Sequence, residues 1–421
     1  MLTRISLLLF IISKLIFAQH NLNDFLNRAM DNSPVLKDHS YQLIINQIQH
    51  KINSAEFADF HVSLSGDYLF VPYFNNNGDL VTTNPSEHAV GYDINLFDGG
   101  LYSLQLNLER NIFNGRRLDV LEKQIQILDD NIRYGYDLEK HNLMRQVTDQ
   151  YLNTYQTLLL IDLSSEIVSN LNEQLELTSE LIEQGFENLQ DYLLLKIEVK
   201  NQSINLSNAR QNYRSSLYQL YALCGIQDTV VVDIDSITLK IDEQGPKSNF
   251  MERYHLDSLL SVNQQDLFEV KYKPEVRLFF NTGLNAVELH NIQRRFGMSA
   301  GLSLSLPLYD GRQRSLTRQQ SQVNQNTISE YRQYFEKNIA IQRKDMRTRI
   351  LSLQQNIESL KGQISDYEKL LKLSEKQLQQ GNVSMIDHLI LLRNFMEIRK
   401  SKIETEINCQ HEINNYNYWN W

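Results

Sequence analysis

Two aspartates, Asp191 and Asp387, stand at equivalent points of a chain of 421 residues, since 387 − 191 = 196 and each follows a glycine by six residues. Carboxylates at such equivalent positions can have an electrostatic role that involves no catalysis. If several copies of the chain surround an axis, each aspartate contributes to a ring of carboxylates that repel one another, raise their own pKa values and attract cations. Such a ring would act as a gate or constriction in a pore.

The same two aspartates also fit an ordinary structural role. Asn188 and Ser384 each precede an aspartate by three residues. An N-cap residue followed by an acid at this spacing resembles a capping box, and the helix dipole favours the negative charge there. Both interpretations remain open from the residues alone.

Other kinds of site chemistry find little support in the sequence. There is no phosphate-binding loop, no HExxH and no CxxC motif, and the 10 histidines are scattered. The sequence therefore predicts no enzyme, no metal site and no cofactor. Cys224 corresponds under the repeat to position 420, and 420 − 409 = 11, so it falls eleven residues past Cys409. That offset is about 16 Å along a helix, and a disulfide between the two is not expected.

The first 18 residues have the pattern of a secretory signal peptide. Arg4 gives a positive start, Ile5–Ile12 is apolar, and Ala18 offers a small residue before a cleavage point. No later apolar run reaches the length of a membrane-spanning helix. The mature protein is thus either soluble or enters a membrane as strands. The formal net charge of −10 argues against a nucleic-acid partner.

Apolar and polar residues alternate in four stretches, which predicts strands. They are residues 62–70 and 104–108 in the first half, and 276–280 and 302–306 in the second half. The first two are expected to extend to roughly ten residues, the length that a tilted membrane strand needs. Soluble hairpins would show the same alternation, so this pattern alone does not decide between them.

Two stretches without proline, 116–184 and 312–380, predict very long helices. Each would measure about 100 Å at 1.5 Å per residue. Their apolar residues recur mainly in steps of three and four, as in a coiled coil. Gly185 and Gly381 end these runs, and return helices are expected from Asn188 to about Leu223 and from Ser384 onward. Each half is therefore a strand pair followed by a long helical hairpin.

The halves hold register from the second strand through the long helix and across the turn, because Gly115 and Gly311 are also 196 residues apart. The predicted domains are a signal peptide (1–18), a first repeat (19–225), a linker with short strands (226–253) and a second repeat (254–421).

The predicted elements require partners outside one chain. Four strands cannot close a barrel, since small barrels need about eight. Open sheet edges in lipid are very costly, and a narrow apolar seam on a long hairpin must also be covered. A cyclic homo-oligomer with a shared strand barrel, continued by a helical tube, satisfies both needs.

The stretch Leu304–Gly311 (Leu-Ser-Leu-Pro-Leu-Tyr-Asp-Gly) has a degenerate copy at Leu108–Gly115 (Leu-Glu-Arg-Asn-Ile-Phe-Asn-Gly). Together with Ala29, Asn32-Ser33-Pro34 and the two turn glycines, their order and spacing resemble the outer-membrane efflux protein family of TolC-like channels. The resemblance covers essentially all of the mature chain. It places strand-to-helix turns at Gly115, Pro307 and Gly311.

The resemblance implies a homotrimer with a 12-stranded barrel in the lipid of the outer membrane and an α-helical tunnel in the periplasm. It implies a passive exit duct of a tripartite efflux or type I secretion system. The hairpin tips would dock onto a periplasmic adaptor protein, which links the channel to an inner-membrane pump. A periplasmic adaptor or a structural coiled-coil protein is the alternative function, and the sequence does not name the cargo.

The resemblance also gives roles to residues near the two tips. Glycine at a helix end takes the left-handed conformation cheaply, so the glycines are also explained as helix C-termini. Asp387 matches an acidic constriction position of the family, whereas the second acid of that pattern is replaced here by Ile390. The predicted adaptor-docking residues are Gly185, Phe186, Leu189, Gly381, Val383 and Met385.

Overall fold

The computed structural model describes residues 21–92, 100–183, 188–243, 248–380 and 382–421. The predicted signal peptide lies outside the described residues, as do the tip residues Gly185, Phe186 and Gly381.

Within these ranges the chain forms long helices and one small sheet. The helices are α1 Leu22–Asn32, α2 Pro34–Ala58, α3 Arg117–Glu183, α4 Leu189–Leu223, α5 Glu252–Glu269, α6 Gln313–Gln379 and α7 Met385–Trp419. The strands are β1 His61–Phe70, β2 Gly100–Phe113, β3 Glu275–Ala286 and β4 Phe296–Ser305. Short 3₁₀ turns lie at Asn249–Met251, Val270–Tyr272 and Ile292–Arg294.

The duplication seen in the sequence is a duplication of structure. Helices α3 and α6 have 67 residues each, and α4 and α7 have 35 each. Each second copy begins 196 residues after the first (313 − 117 and 385 − 189). Because none of the four contains proline, no backbone donor is lost within them and the helical ladder continues. The predicted long helices and return helices are confirmed.

Local capping residues set where the first two helices begin. The Asn21 side chain accepts a hydrogen bond of 3.0 Å from the Asp24 amide, which caps α1. Ser33 has extended backbone angles (φ −60°, ψ 117°) that end α1. Pro34 then opens α2 at the first helical position, where a missing N–H costs nothing.

The four strands pair in the order β1-β2-β3-β4, and every pair is antiparallel. Directly opposed residues share a face, and the register pairs even-numbered residues with even-numbered ones along almost the whole sheet, for example Leu64 with Leu106. The even-numbered face is mainly apolar on all four strands, and its polar members are Arg110 and Thr282. Its large apolar members are Val62, Leu64, Tyr68, Phe70, Tyr102, Leu104, Leu106, Leu108, Val276, Leu278, Phe280, Leu284, Phe296, Met298, Leu302 and Leu304.

The odd-numbered face is polar over most of its area. Its polar members are His61, Ser63, Ser65, Asp67, Ser103, Gln105, Asn107, Glu109, Asn111, Glu275, Arg277, Asn281, Asn285, Ser299, Ser303 and Ser305. Side chains hydrogen-bond across this face, as between Asn107 and Ser65 at 2.8 Å. The sheet is therefore amphipathic as a whole, and within the described residues β1 and β4 each keep one edge without a neighbouring strand.

The turns from strand to helix are also duplicated. Gly115 and Gly311 both have φ +59°, and the arginines that follow them, Arg116 and Arg312, have φ +68° and +69°. Two consecutive left-handed residues reverse the chain sharply, and glycine adopts the first of them without steric cost. The third predicted turn residue, Pro307, lies in the irregular segment between β4 and α6.

The linker differs from the prediction. The short strands expected within 229–241 are absent, and residues 226–243 form no regular element. Their backbone groups are bound by helix side chains instead. The Tyr213 and Tyr221 hydroxyls donate to the carbonyls of Val232 and Val230, and Asn417 donates to that of Lys240. The backbone of this β-branched segment is thus hydrogen-bonded by helix side chains and not by a neighbouring strand.

Residue contacts divide the chain into two units. One comprises the described residues of 21–39, 135–252 and 333–421, and it contains three buried apolar clusters, the largest around Phe25, Tyr151 and Leu217. The other comprises 40–134 and 253–332 and contains the sheet. The domain boundaries drawn from the repeat stay a prediction.

No helix in the described ranges combines the length and the hydropathy needed to cross a membrane.

Candidate functional site

The two candidate gate residues lie in the first turns of the return helices, at equivalent positions. The Asn188 side chain accepts a hydrogen bond of 2.9 Å from the Asp191 amide and donates one of 2.7 Å to the Asp191 carboxylate. The Ser384 hydroxyl does the same for Asp387, at 3.2 and 2.7 Å. Each aspartate therefore completes a reciprocal cap, as the structural interpretation predicts.

Capping leaves part of each aspartate carboxylate free to interact with other groups. Only one oxygen of each aspartate is bonded to the cap residue, and Asp387 is exposed to solvent. The negative charge thus stays available to other groups, and a gate formed by Asp387 or Asp191 remains a prediction.

The two tips differ in how they pack. Leu189 and Leu193 of the first repeat are 62% and 47% exposed, whereas their equivalents Met385 and Leu389 are 3% and 7% exposed. The latter two join Leu163, Ile167, Leu171 and Leu195 in one buried group, the tip cluster. The predicted adaptor-docking role requires these apolar side chains to face water, which holds at Leu189 and is wrong at Met385. Val383 is partly exposed.

Polar contacts join the first part of α7, residues 385–399, to the other long helices. The His388 Nδ1 atom lies 3.0 Å from the Ser374 hydroxyl of α6. Arg393 donates to the Glu198 carboxylate of α4 at 2.5 Å, and Arg399 donates to Glu166 of α3 at 2.7 Å. The start of the second return helix is thus bound to both hairpins of the chain.

Glu198 is a buried acid that stays charged. Its side chain is 3% exposed, and burial alone would raise the pKa of Glu198. Hydrogen bonds from Arg393 and Gln202 outweigh that effect, so the pKa of Glu198 falls below its ordinary value. The pair therefore places a fixed negative charge among the helices near the tips.

Sequence reasoning missed His388, Glu198 and Arg393. The repeat held a signal for them, because their equivalents by the 196-residue offset are uncharged at neutral pH: Tyr192, Asn394 and Ile197. An ionisable residue at a position where the other copy has none marks a place where the two hairpins are not interchangeable.

The strand-to-helix turn of the second repeat is held by ion pairs. Arg314 donates to the Asp310 carboxylate at 2.6 Å, and this hydrogen bond lowers the pKa of Asp310. The Arg314 guanidinium also lies 5.1 Å from the centre of the Tyr272 ring. Arg318 makes two hydrogen bonds to Glu269, at 2.6 and 3.0 Å. These contacts set the direction in which α6 leaves the turn.

Among the described residues, no group of three or more His, Cys, Asp or Glu side chains is arranged to hold a metal ion. Cys224 and Cys409 are both free and buried. No disulfide therefore joins them, as their spacing predicts.

Solved structures of bacterial outer-membrane channels share this fold. The chain matches CusC, described for its folding and transmembrane channel formation, with a TM-score of 0.72 and 11% identity over 96% of this chain and 92% of that one. It matches the outer membrane protein VceC of Vibrio cholerae with a TM-score of 0.68 and 14% identity over 94% of each chain. The open MtrE channel of Neisseria gonorrhoeae gives 0.68 and 11% over 95% of this chain and 88% of that one.

At sequence level the match is to a family. Residues 70–226 match the outer membrane efflux protein family, which confirms the resemblance predicted from the sequence. No curated protein matches the chain by sequence. The matched family is described as outer membrane efflux proteins, which agrees with the predicted location.

Proposed function

We propose that this protein is the outer-membrane exit duct of an efflux or type I secretion system and acts as a passive conduit. The observation that carries the proposal is the sheet, which is mainly apolar on one face and mainly polar on the other through all four strands. Strands that separate lipid from a water-filled lumen alternate in this way. The family match and the fold shared with outer-membrane channels support the same function.

The sheet edges support an oligomer. An edge in lipid leaves N–H and C=O groups without partners, at a cost of several kcal/mol for each group. If β1 of one chain pairs with β4 of the next, the ring closes and the N–H and C=O groups of both edges find partners. Three copies of a four-stranded sheet give twelve strands, which fits the trimer implied by the family resemblance.

A periplasmic adaptor or a structural coiled-coil protein would also use long helical hairpins. Neither needs a sheet with one mainly apolar face, and water would penalise such a face on a free protein. The sheet therefore favours the channel over both alternatives.

The hairpin tips are the proposed docking points for a periplasmic adaptor, which would connect the duct to an inner-membrane pump. Leu189 supports this role best, because it is a large apolar side chain that its own chain leaves 62% exposed. Such side chains at a helical turn are natural contacts for a partner helix. The cargo depends on the pump and is not part of the proposal.

Asp387 is the proposed gate residue, since three copies around the axis would form a carboxylate ring. The test is single-channel recording in planar bilayers with the purified mature protein. Asp387→Ala should weaken the preference for cations, measured as a shift of the reversal potential in a salt gradient towards zero. Ser384→Ala is the matched control, because it removes the cap, at about 1 kcal/mol of helix stability, but leaves the carboxylate in place.

The outcomes separate the parts of the proposal. Equal shifts in the two variants would reduce Asp387 to a capping residue while the channel stands. Unchanged cation selectivity in Asp387→Ala would likewise show that Asp387 is only a capping residue. If a well-folded oligomer inserts no channel at all, the conduit itself is overturned.

A further inference from the structure

His388, next to the proposed gate residue, is buried in an environment that disfavours its protonation. The side chain is 2% exposed and lies in the first turn of α7. Its Nδ1 atom is paired with the Ser374 hydroxyl at 3.0 Å. Its Nε2 atom is buried and has no hydrogen-bond partner among the described residues. A proton added to Nε2 would therefore create an N–H donor, and a charge, with nothing placed to receive it.

None of the charged groups around His388 is hydrogen-bonded to its Nε2 atom, although the charge of Glu375 favours the protonated form. His388 lines a cavity of about 420 Å³ between α3, α6 and α7. The charged residues that line it are Glu166 and Glu173 on α3, Glu368, Lys372 and Glu375 on α6, and Arg399 on α7. Glu166 is engaged by Arg399, and Glu198, the buried acid of α4, is engaged by Arg393. Asp387 is exposed to solvent, whereas His388 is buried.

The first tip provides a natural comparison, because its equivalent positions are filled differently. Ser374 and His388 correspond to Thr178 and Tyr192. The Thr178 hydroxyl donates to the Gln174 carbonyl of its own helix at 2.8 Å instead of bonding to the return helix. Leu189 and Leu193 are exposed there, while Met385 and Leu389 are buried. A buried histidine thus lies at position 388 of the second tip, whereas the equivalent position 192 of the first tip holds a partly exposed tyrosine.

We propose that His388 is a proton-operated latch on the second hairpin tip. Neutral His388 holds the start of α7 against α6 and the tip cluster, and a protonated His388 releases it. The released segment carries Asp387, so the latch would adjust the gate, and this consequence rests on the proposed function.

The direction of the pH dependence follows from burial. Burial lowers the pKa of His388 from its ordinary 6.5, and the opposite influence of Glu375 is smaller. A released tip regains the ordinary pKa, so release takes up a proton. The contribution of His388 to tip packing is therefore complete above pH 6.5. It decreases as the pH falls from 6.5 to the lowered pKa of the packed state, and it is constant below that.

Hydrogen–deuterium exchange with mass spectrometry tests the latch on the whole mature protein in detergent. Exchange is measured at pH 7.5 and 5.5 and divided by the intrinsic rate at each pH. Peptides covering 383–392 should lose protection at pH 5.5, by up to about tenfold, the most that one histidine of ordinary pKa 6.5 can give between these values. Peptides covering 188–196 in the first tip should not change.

Two variants complete the test. His388→Asn keeps a hydrogen-bonding group near Ser374 but does not titrate, so the response of the second tip should vanish. His411→Asn removes a half-buried histidine further along α7, which lies 2.9 Å from Asp149 and 3.0 Å from Asn153, and the response should persist.

The latch would be overturned if both tips of the unmodified protein lost protection equally at pH 5.5. It would also be overturned if the second tip lost no protection. This comparison needs no variant to fold. A response that survives in His388→Asn would overturn it as well. The exchange result is independent of channel recordings. If the second tip responds to pH but the protein forms no channels, the latch stands and the proposed function is refuted. If the protein forms channels but the second tip does not respond, the proposed function stands and the latch is refuted.

Discussion

At the scale of single residues, the helices near the tips are joined by polar contacts of unequal worth. Glu198 is 3% exposed in its pair with Arg393, whereas Glu166 is 50% exposed in its pair with Arg399. An exposed ion pair contributes little, because water and salt screen it. A buried carboxylate that loses its cation is left with an uncompensated charge, which is expensive. The two pairs on α7 should therefore respond very differently to the loss of their arginines.

Arg393→Leu should lower the free energy of unfolding by about 3–5 kcal/mol, since Glu198 stays buried without its cation. The control Arg399→Leu should cost about 0–1 kcal/mol. Denaturant unfolding followed by circular dichroism measures both. Adding Glu198→Gln to Arg393→Leu should recover most of the loss, and no recovery would indicate that packing rather than charge was responsible.

The two cysteines should resist alkylation in the folded protein. Burial raises the pKa of the Cys224 thiol to about 12 and also raises that of Cys409, so the reactive thiolate is scarce and shielded. Iodoacetamide at pH 8 should label neither residue in the native state and both in denaturant, as read by mass spectrometry. Rapid native labelling of either cysteine would contradict the burial assigned to it.

At the scale of elements, a strand-to-helix turn is used twice with different surroundings. Gly115 and Gly311 share the same φ of +59°. A Cβ on Gly115 would lie 2.6 Å from the Lys273 Cβ, whereas a Cβ on Gly311 would meet nothing within 4 Å. The same backbone requirement is thus combined with close packing in one copy only.

Gly311→Ala should destabilise by about 1–2 kcal/mol, the cost of the left-handed conformation for a residue with a side chain. Gly115→Ala should cost at least about 1 kcal/mol more, because the added methyl group also displaces Lys273. The shift of the thermal unfolding midpoint compares the two variants directly. If they shift it equally, the close approach to Lys273 is not maintained in solution.

At the scale of the whole molecule, the decisive feature is the amphipathic sheet and its two open edges. Its apolar side chains are largely exposed in the single chain, for example 66% for Leu302 and 70% for Leu304. Neighbouring Ser303 belongs to the polar face. Under the proposed function, this division places the even-numbered face against lipid and the odd-numbered face in a water-filled lumen.

Leu302→Arg should impair assembly in the membrane by about 2–4 kcal/mol, the cost of a cation facing the middle of a bilayer. The adjacent Ser303→Arg should be tolerated, because a lumen-facing cation stays in water. Urea-dependent folding into phosphatidylcholine vesicles measures both. Equal tolerance of the two variants would mean that the even-numbered face does not contact lipid.

Much of this architecture is determined by sequence alone. Steps of three and four in proline-free stretches fix the long helices, alternation fixes the strands, and the offset of 196 residues fixes the duplication. Caps such as Asn188 and Ser384 are read from residue type and spacing, because the interaction spans one helical turn. These features depend on neighbours along the chain, and so the sequence reveals them.

Tertiary structure decided what depends on distant residues. The β-branched linker has the local preference of a strand, but helix side chains such as Tyr213 and Asn417 bind its backbone, so no strand forms. Met385 and Leu189 occupy equivalent positions, yet only Met385 finds a buried cluster to join. The environment of His388 likewise depends on Ser374 and on helix α3, since burial and the loss of hydration come from packing that no local pattern records.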